Sequence, residues 1–371
     1  MRCPLGVLRG TAAGAAILLA AGCGVLRFPR EAPPPAPSPT ATNLDEPGLR
    51  EPPSRGEPPR PVGRQPAPLS QTFESEDFVV TFAKPGDTAA SLAARFLSDP
   101  DKAWMIEDYN PAAALPAPGQ PVVIPKQPWN LAGVEPSGYQ LVPVLVYHNL
   151  ASQARGRLVI AAKSFEEQMR YLKTHDYRVV HLRQLYEFIS LRRQLPRKAV
   201  VLTFDDGYRS FLDHAYPVLK QLGFTATLFV YTDYVGAGRN ALRWEDLRRL
   251  QQEGFDIQGH SKTHGDLRRK AGESDADYSA RMKLELGDPQ ALFERHLGRR
   301  ADILAYPYGF QDDDLLQKVV QYGYGAAFTV RREGNPAFVY PLRAHRSQIY
   351  AEMTLEDFAK NLNTFNSEPI R

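Results

Sequence analysis

The 371-residue sequence has only two cysteines, Cys3 and Cys23, and both lie at its amino end. The rest of the chain therefore has neither a disulfide nor a thiolate metal site, so a bound metal would need histidine and carboxylate ligands. The sequence also lacks a strong charge imbalance, since its formal net charge is +3. Nothing in this balance points to nucleic acid as a partner. With 43% hydrophobic residues, the chain is long enough for about two globular domains.

The apolar segment near the amino end is shorter than the roughly 20 residues of a typical membrane span. It covers residues 11–21 and follows Arg2 and Arg9, a pattern typical of a secretory signal peptide. The stretch from Leu19 to Cys23 resembles a bacterial lipobox, which implies cleavage after residue 22 and acylation of Cys23. We therefore expect an exported protein, lipid-anchored at Cys23 to a membrane of the bacterial cell envelope. The alternatives are an uncleaved anchor or a plain signal peptide.

Proline dominates the next segment, residues 23–72. Residues 24–70 hold 14 of the 32 prolines in the chain and almost no aromatic residues. Such a composition cannot bury enough apolar surface to order itself, so we expect a disordered tether.

A small domain is predicted for residues 77–128. Alternating apolar residues at 78–82 predict a strand, two helices follow, and a turn at Pro118-Gly119 precedes a second strand at 121–125. This βααβ order, with its PGDT and PGQPVVIP motifs and Asn110, resembles the LysM domain. The resemblance implies binding of glycans that contain N-acetylglucosamine. The alternative is a small α+β module without a ligand.

The third unit, residues 139–371, alternates short apolar strands with amphipathic helices. This alternation predicts a parallel α/β sheet with right-handed crossovers. About seven repeats favour a closed or nearly closed barrel over an open sheet.

The strand predicted at 200–204 ends at two adjacent acids, Asp205 and Asp206, followed by Gly207. Polar groups at the carboxyl ends of parallel strands often form sites. Two neighbouring carboxylates repel each other, so a cation or a shared proton would make the pair tolerable. The alternative is a simple chain reversal at Asp206-Gly207.

His260 and His264 follow another predicted strand, and their spacing would bring both imidazoles together on a helical turn. Together with Asp205 and Asp206, they form a candidate site of two histidines and a carboxylate for a divalent cation. Zinc is the expected ion, although cobalt, nickel and manganese also accept such ligands.

Three motifs occur in one order, TFDD at 203–206, HSKTH at 260–264 and YPYG at 306–309. Together they resemble the polysaccharide deacetylase family, carbohydrate esterase family 4, over residues 141–362. The strand at 144–148, VLVYH, resembles the first strand of one branch of that family. The resemblance implies a distorted (β/α)7 barrel and metal-dependent hydrolysis of N-acetyl groups on amino sugars.

The resemblance also implies residue roles. Asp205 would be the general base that acts on the attacking water, and the metal ligands would be Asp206, His260 and His264. The backbone N–H of Tyr308 would stabilise the oxyanion.

Substrate contacts are expected from Tyr306, Pro307 and Arg346. The family's third motif usually begins with an arginine that orients the catalytic aspartate, whereas this chain has Ala305. We expect Arg343 or Arg346 to replace it.

The motifs leave two candidates for the general acid, because His345 follows Leu342-Arg343-Ala344 and so does not match the family's usual late Leu-x-His motif. His148 is the preferred acid, since the first and last strands of a barrel are neighbours, and His345 is the alternative.

These patterns predict a lipid-anchored N-deacetylase that acts on glycans containing N-acetylglucosamine. Peptidoglycan is the expected substrate, because a LysM domain would place the enzyme on it, and an exopolysaccharide such as poly-N-acetylglucosamine is the alternative. A wall-binding protein that has lost catalysis, which Ala305 favours, and a hydrolase of non-sugar amides or acetyl esters are the rivals from other classes.

Overall fold

The computed structural model describes residues 71–110 and 117–368 of the chain. The predicted signal peptide, Cys23 and residues 23–70 of the predicted tether lie outside this part. Among the described residues, no helix has both the length and the apolar character needed to cross a bilayer.

The small domain has the predicted βααβ order with one additional edge strand. Its elements are β1 (Phe73–Glu74), β2 (Phe78–Phe82), α1 (Ala89–Leu97), α2 (Ala103–Tyr109) and β3 (Pro121–Pro125). The sheet is antiparallel in the order β1-β2-β3. Helix α1 begins at a capping box, in which Thr88 and Ser91 each accept a hydrogen bond from the other's backbone N–H. Asn110 joins α2 to β3, because its side chain bonds both backbone groups of Val123.

The remaining strands and helices belong to the larger domain. Its strands are β4 (Val134–Glu135), β5 (Gly138–Gln140), β6 (Val144–Tyr147), β7 (Asn149–Ala151), β8 (Val159–Ala161), β9 (Arg178–Val179), β10 (Ala199–Asp206), β11 (Thr227–Val230), β12 (Asp256–Gly259), β13 (Ile303–Ala305), β14 (Ala326–Phe328), β15 (Ser347–Gln348) and β16 (Phe365–Asn366). Its α-helices are α3 (Ala162–Thr174), α4 (Leu182–Ile189), α5 (Tyr216–Leu222), α6 (Trp244–Gln252), α7 (Asp275–Met282), α8 (Asp288–Leu297), α9 (Asp313–Gln321) and α10 (Leu355–Ala359). Short π-helical turns at 211–215 and 283–287 lead into α5 and join α7 to α8.

Eight parallel strands form the central sheet. Seven follow the order β14-β13-β12-β11-β10-β6-β15, and the short β9 pairs with the amino end of β10. A single parallel bridge between Phe328 and Ala344 links β14 to the segment before β15. The sheet therefore nearly closes, as expected for a distorted (β/α)7 barrel. Strand β10 lies inside it, and all eight of its residues are buried. The strand extends two residues beyond the predicted range and includes both acids.

The small domain packs at the amino ends of the barrel strands. Asp108 of α2 accepts a hydrogen bond from the backbone N–H of Arg197, just before β10, at 3.0 Å. Glu107 forms an ion pair with Arg178, the first residue of β9. Because Asp205 and Asp206 lie at the carboxyl end of β10, the small domain and the acids occupy opposite ends of the barrel.

Candidate metal and catalytic site

The backbone of strand β10 brings two buried acids to the carboxyl end of the sheet. Side chains alternate between the faces of a regular strand. Asp206 breaks this alternation, because its φ is +74°, in the left-handed region. As a result, its Oδ1 lies 3.6 Å from Nε2 of His260, and Oδ2 of Asp205 lies 3.9 Å from the same nitrogen. The two neighbouring carboxylates thus face one imidazole.

Arg346, which immediately precedes β15, binds Asp205 past the intervening strand β6. Its two terminal nitrogens donate to the two carboxylate oxygens at 2.7 and 2.9 Å. Burial by itself raises the pKa of Asp205, but the positive charge of Arg346, followed by His260 and His148, lowers it to about 2. Asp205 is therefore ionised at neutral pH and has a fixed orientation. Arg343, the other candidate partner, instead bonds Gln311 and Asp313.

His260 and His264 converge on Asp206 through an irregular loop. The prediction of a helical turn is wrong here, because Ser261 and His264 have left-handed backbones with φ of +71° and +63°. The Ser261 hydroxyl accepts a hydrogen bond from the backbone N–H of His264 at 3.0 Å and holds the loop closed. Nε2 of His264 lies 3.3 Å from Oδ1 of Asp206. One ligand atom from each of Asp206, His260 and His264 lies within 4.8 Å of the others.

The donor set fits a divalent cation. Oδ1 of Asp206 is buried and has no hydrogen-bond partner, as expected for an atom that a cation would satisfy. Nδ1 of His260 lies 2.7 Å from the carbonyl oxygen of Ala305, which leaves the lone pair of Nε2 directed at the acids. Burial lowers the pKa of His260 to about 4 and also lowers that of His264. Both imidazoles are therefore neutral at pH 7, the form that binds metals.

Glu285 supports the loop between the two histidines, and sequence reasoning missed it. Its carboxylate accepts hydrogen bonds from the backbone N–H groups of Lys262 and Thr263 at 3.2 and 3.0 Å, and from the Thr263 hydroxyl at 2.6 Å. Glu285 lies in the π-helical turn that joins α7 to α8, and such turns recur at functional sites. The sequence held one indication of this role, because Glu285 is an acid on the same helical face as the core residues Tyr278 and Met282.

The two candidate acids, His148 and His345, lie in different surroundings. The charge of His148 acts on the pKa values of both Asp205 and Asp206, and its buried Nδ1 has no hydrogen-bond partner. Nδ1 of His345 also has no hydrogen-bond partner, but it lies 3.3 Å from a carboxylate oxygen of Glu333, and His345 lines a separate cavity at the amino end of β15. The structure therefore brings His148, and not His345, to the acids.

The loop after β13 places Tyr308 at the rim of the site. The residue is 55% exposed and its backbone is left-handed, with φ of +60°. Its ring packs against His264 with centroids 4.8 Å apart. Tyr306 and Pro307 are buried, and the Tyr306 hydroxyl donates to the carbonyl oxygen of Leu342 at 2.9 Å. Arg346 is also fully buried. The prediction that Tyr306, Pro307 and Arg346 contact the substrate is therefore wrong, because these side chains are not accessible. The side chain of Tyr308 is accessible.

Residues 192–327 match the family model described as Polysaccharide deacetylase. Similar curated proteins include YxkH of Bacillus subtilis (strain 168), which is 27% identical over 188 residues, or 51% of this chain and 64% of YxkH. Another is the poly-beta-1,6-N-acetyl-D-glucosamine N-deacetylase of Staphylococcus epidermidis (strain RP62A), which is 25% identical over 181 residues, or 47% of this chain and 62% of that protein. The chain thus spans less than two thirds of the length of either relative.

A solved structure, the Streptococcus pyogenes deacetylase PplD in complex with acetate, shares the fold. It aligns with a TM-score of 0.54 at 24% identity and covers 61% of this chain and 99% of that one. This likeness confirms the predicted distorted (β/α)7 barrel. The family match covers both acids of β10 and both histidines of the loop after β12. Residues 192–327 are therefore similar to the polysaccharide deacetylase family, and the larger domain shares its fold.

Proposed function

We propose that this protein is a metal-dependent hydrolase that removes acetyl groups from N-acetylglucosamine residues of a glycan. One observation carries the proposal. Asp205 is buried, ionised and hydrogen-bonded to Arg346. Next to it, Asp206, His260 and His264 supply one carboxylate oxygen and two neutral imidazole nitrogens, a set of donors that suits a divalent cation. Residues 192–327, which include these four residues, match the polysaccharide deacetylase family model.

The residues divide the reaction between them. Asp206, His260 and His264 would hold the cation, and two nitrogens with one oxygen suit zinc. A divalent cation in this position would polarise the acetyl carbonyl and lower the pKa of a water molecule. Asp205 takes a proton from the attacking water, whose oxygen adds to the acetyl carbon. Such a base must be ionised before the reaction, and the charge of Arg346 ensures that it is.

The C–N bond then breaks, and the leaving nitrogen needs a proton. His148 is the donor in this proposal, because it directly follows Tyr147 of β6, whose partner in the register of β10 is Phe204, the residue before the two acids. The negative charge on the former carbonyl oxygen would be stabilised by the backbone N–H of Tyr308. The two hydrogen bonds that close this turn are donated by Gly309 and Phe310, which leaves the Tyr308 N–H for that oxygen.

The direct test is release of acetate from defined oligomers of N-acetylglucosamine by the full chain. We expect release that stops after treatment with a chelator and returns when zinc is added. Release that is unaffected by complete metal removal would contradict the proposal. No release from any glycan, with retained binding to the cell wall, would favour a binding protein that has lost catalysis.

The small domain is proposed to bind N-acetylglucosamine-containing glycan and to direct the enzyme to peptidoglycan. Its βααβ order and the Asn110 bonds that join α2 to β3 support this. Poly-N-acetylglucosamine is the second candidate substrate, because one relative is named for deacetylation of that polymer. Sedimentation of the chain with each insoluble glycan, with and without residues 1–128, distinguishes them. Equal sedimentation of both forms would contradict a binding role.

We also propose that Cys23 carries a lipid that anchors the protein in the bacterial cell envelope. The lipobox-like stretch that ends at Cys23 supports this. Expression in bacteria fed labelled palmitate should label the wild-type chain and leave a Cys23→Ala variant unlabelled. Equal labelling of the two would contradict the anchor.

A further inference from the structure

An open groove lies between the segments that follow β6 and β10, the strands that carry His148 and the two acids to the carboxyl end of the barrel. Its volume is about 470 Å³, and it lies between the segment that follows His148 and the segment that follows Asp206. The backbone N–H of Leu150 donates to the Ser210 hydroxyl at 3.1 Å and joins the two segments. Arg209 lies three residues after Asp206, so their α-carbons are at most about 11 Å apart. A glycan with one acetamido group at the acids can therefore extend into this groove.

The groove has a positive charge. Arg155, Arg209 and Arg239 line it together with a single acid, Asp213, which gives a formal excess of two positive charges. Arg209 is paired with Asp246 at 3.3 Å. Within the described ranges, neither Arg155 nor Arg239 forms an ion pair, and both side chains are exposed to solvent. Two guanidinium groups therefore face the groove without a counter-ion from the described part of the protein.

Guanidinium groups have a geometric preference among anions. Their planar N–H groups match the two oxygens of a carboxylate, which they bind more specifically than an ammonium group does. A cleft with one sign of charge also concentrates ligands of the opposite sign. A neutral polymer gains nothing from either effect, whereas a glycan with carboxylates along its length gains from both.

We propose that this groove binds a carboxylate on a sugar next to the N-acetylglucosamine residue that is deacetylated, so that the substrate is an acidic glycan. This inference rests on the proposed function and specifies its substrate class. Two kinds of glycan supply the same chemistry. One carries the lactyl carboxylate of muramic acid that bears no stem peptide, and the other carries the carboxylate of a uronic acid.

The test compares kcat/KM for acetate release from three oligomers of equal length. One is neutral and contains N-acetylglucosamine alone, one alternates it with N-acetylmuramic acid, and one alternates it with glucuronic acid. The variant is Arg155→Gln/Arg239→Gln. The matched control is Arg295→Gln/Arg300→Gln, which removes two exposed positive charges outside the groove.

The wild type should prefer at least one acidic oligomer over the neutral one by about 2- to 30-fold, the range expected for two exposed ion pairs. The groove variant should lose this preference, the control should keep it, and 0.5 M salt should weaken it in the wild type. The oligomer that is preferred identifies the source of the carboxylate. A wild type without preference, or an equal loss on all three oligomers in the groove variant, would overturn the inference.

If the wild type releases no acetate from any oligomer, the proposed function is wrong. Carboxylate binding in the groove is then tested by binding measurements alone. Isothermal titration with the same three oligomers then decides. Tighter binding of an acidic oligomer that disappears in the groove variant supports the groove. Equal dissociation constants for the neutral and acidic oligomers overturn it.

Discussion

Arg346, just before the strand next but one to β10, holds Asp205 with two hydrogen bonds of 2.7 and 2.9 Å between side chains that are 0% and 3% exposed. The guanidinium also donates to the carbonyl oxygen of Thr329 at 3.2 Å and lies over the ring of Phe229. In the family that the motifs resemble, an arginine at the start of the third motif has this task. Here that position is Ala305, whose carbonyl oxygen lies against His260 instead.

Replacement of Arg346 by methionine should raise the pKa of Asp205. Burial raises that pKa, and the variant would lack the positive charge of Arg346 that opposes this effect. Because the base must be ionised, the acidic limb of kcat/KM should move to higher pH. Loss of one partner of a buried pair should also lower the free energy of unfolding by about 3–5 kcal/mol. Both changes can be followed by acetate release against pH and by urea unfolding.

The sign of the stability effect follows from the lowered pKa. Asp205 has a pKa of about 2 in the folded chain, below its value of about 3.9 when unfolded. The pair therefore stabilises the fold above about pH 4, and this stabilisation is lost as the pH falls towards 2. Arg343→Met is the matched control, because Arg343 lies at the surface, and it should change neither property. A wild-type pH profile in Arg346→Met would show that Arg346 does not orient the base.

Replacement of His148 by glutamine should lower kcat by about 10²- to 10⁴-fold, the usual contribution of a general acid. His345→Gln is the control, since His345 contacts Glu333 and lines a different cavity. It should keep kcat within a factor of two of the wild type. If the His345 variant lost activity while the His148 variant kept it, the assignment of the general acid would be reversed.

Replacement of Glu285 by alanine should weaken metal binding by about 10- to 100-fold, as is common for groups that support metal ligands. Three hydrogen bonds hold the loop between His260 and His264 to this carboxylate, and the variant lacks all of them. Isothermal titration with zinc measures the change. The control is Glu294→Ala, at an exposed position of α8. Equal zinc affinity in both variants would mean that the loop keeps its shape without Glu285.

The fold was largely predictable from the sequence, because hydrophobic patterning records which faces are buried. The alternation of strands and helices predicted the barrel, and the βααβ order of the small domain was also found. The motifs likewise pointed to the two acids of β10 and the two histidines, which the structure brings together.

The supporting residues were harder to predict, because they depend on where distant segments meet. Arg343 and Arg346 are equally plausible in the sequence, but Arg343 lies in a 3-10 turn, and only the residue just before β15 faces Asp205. The loop from His260 to His264 depends on left-handed backbones at non-glycine residues, which sequence patterns rarely reveal. Glu285 reaches this loop from a helix more than 20 residues away in the sequence.

The different roles of Asp205 and Asp206 are tested most directly by metal content and acetate release measured on the same preparations of Asp205→Asn and Asp206→Asn. Asp205→Asn should retain one equivalent of zinc and lose at least about 10²-fold in kcat. Asp206→Asn should lose both the metal and the activity. A fully active Asp205→Asn variant, or an Asp206→Asn variant that binds zinc as tightly as the wild type, would contradict this account of the site.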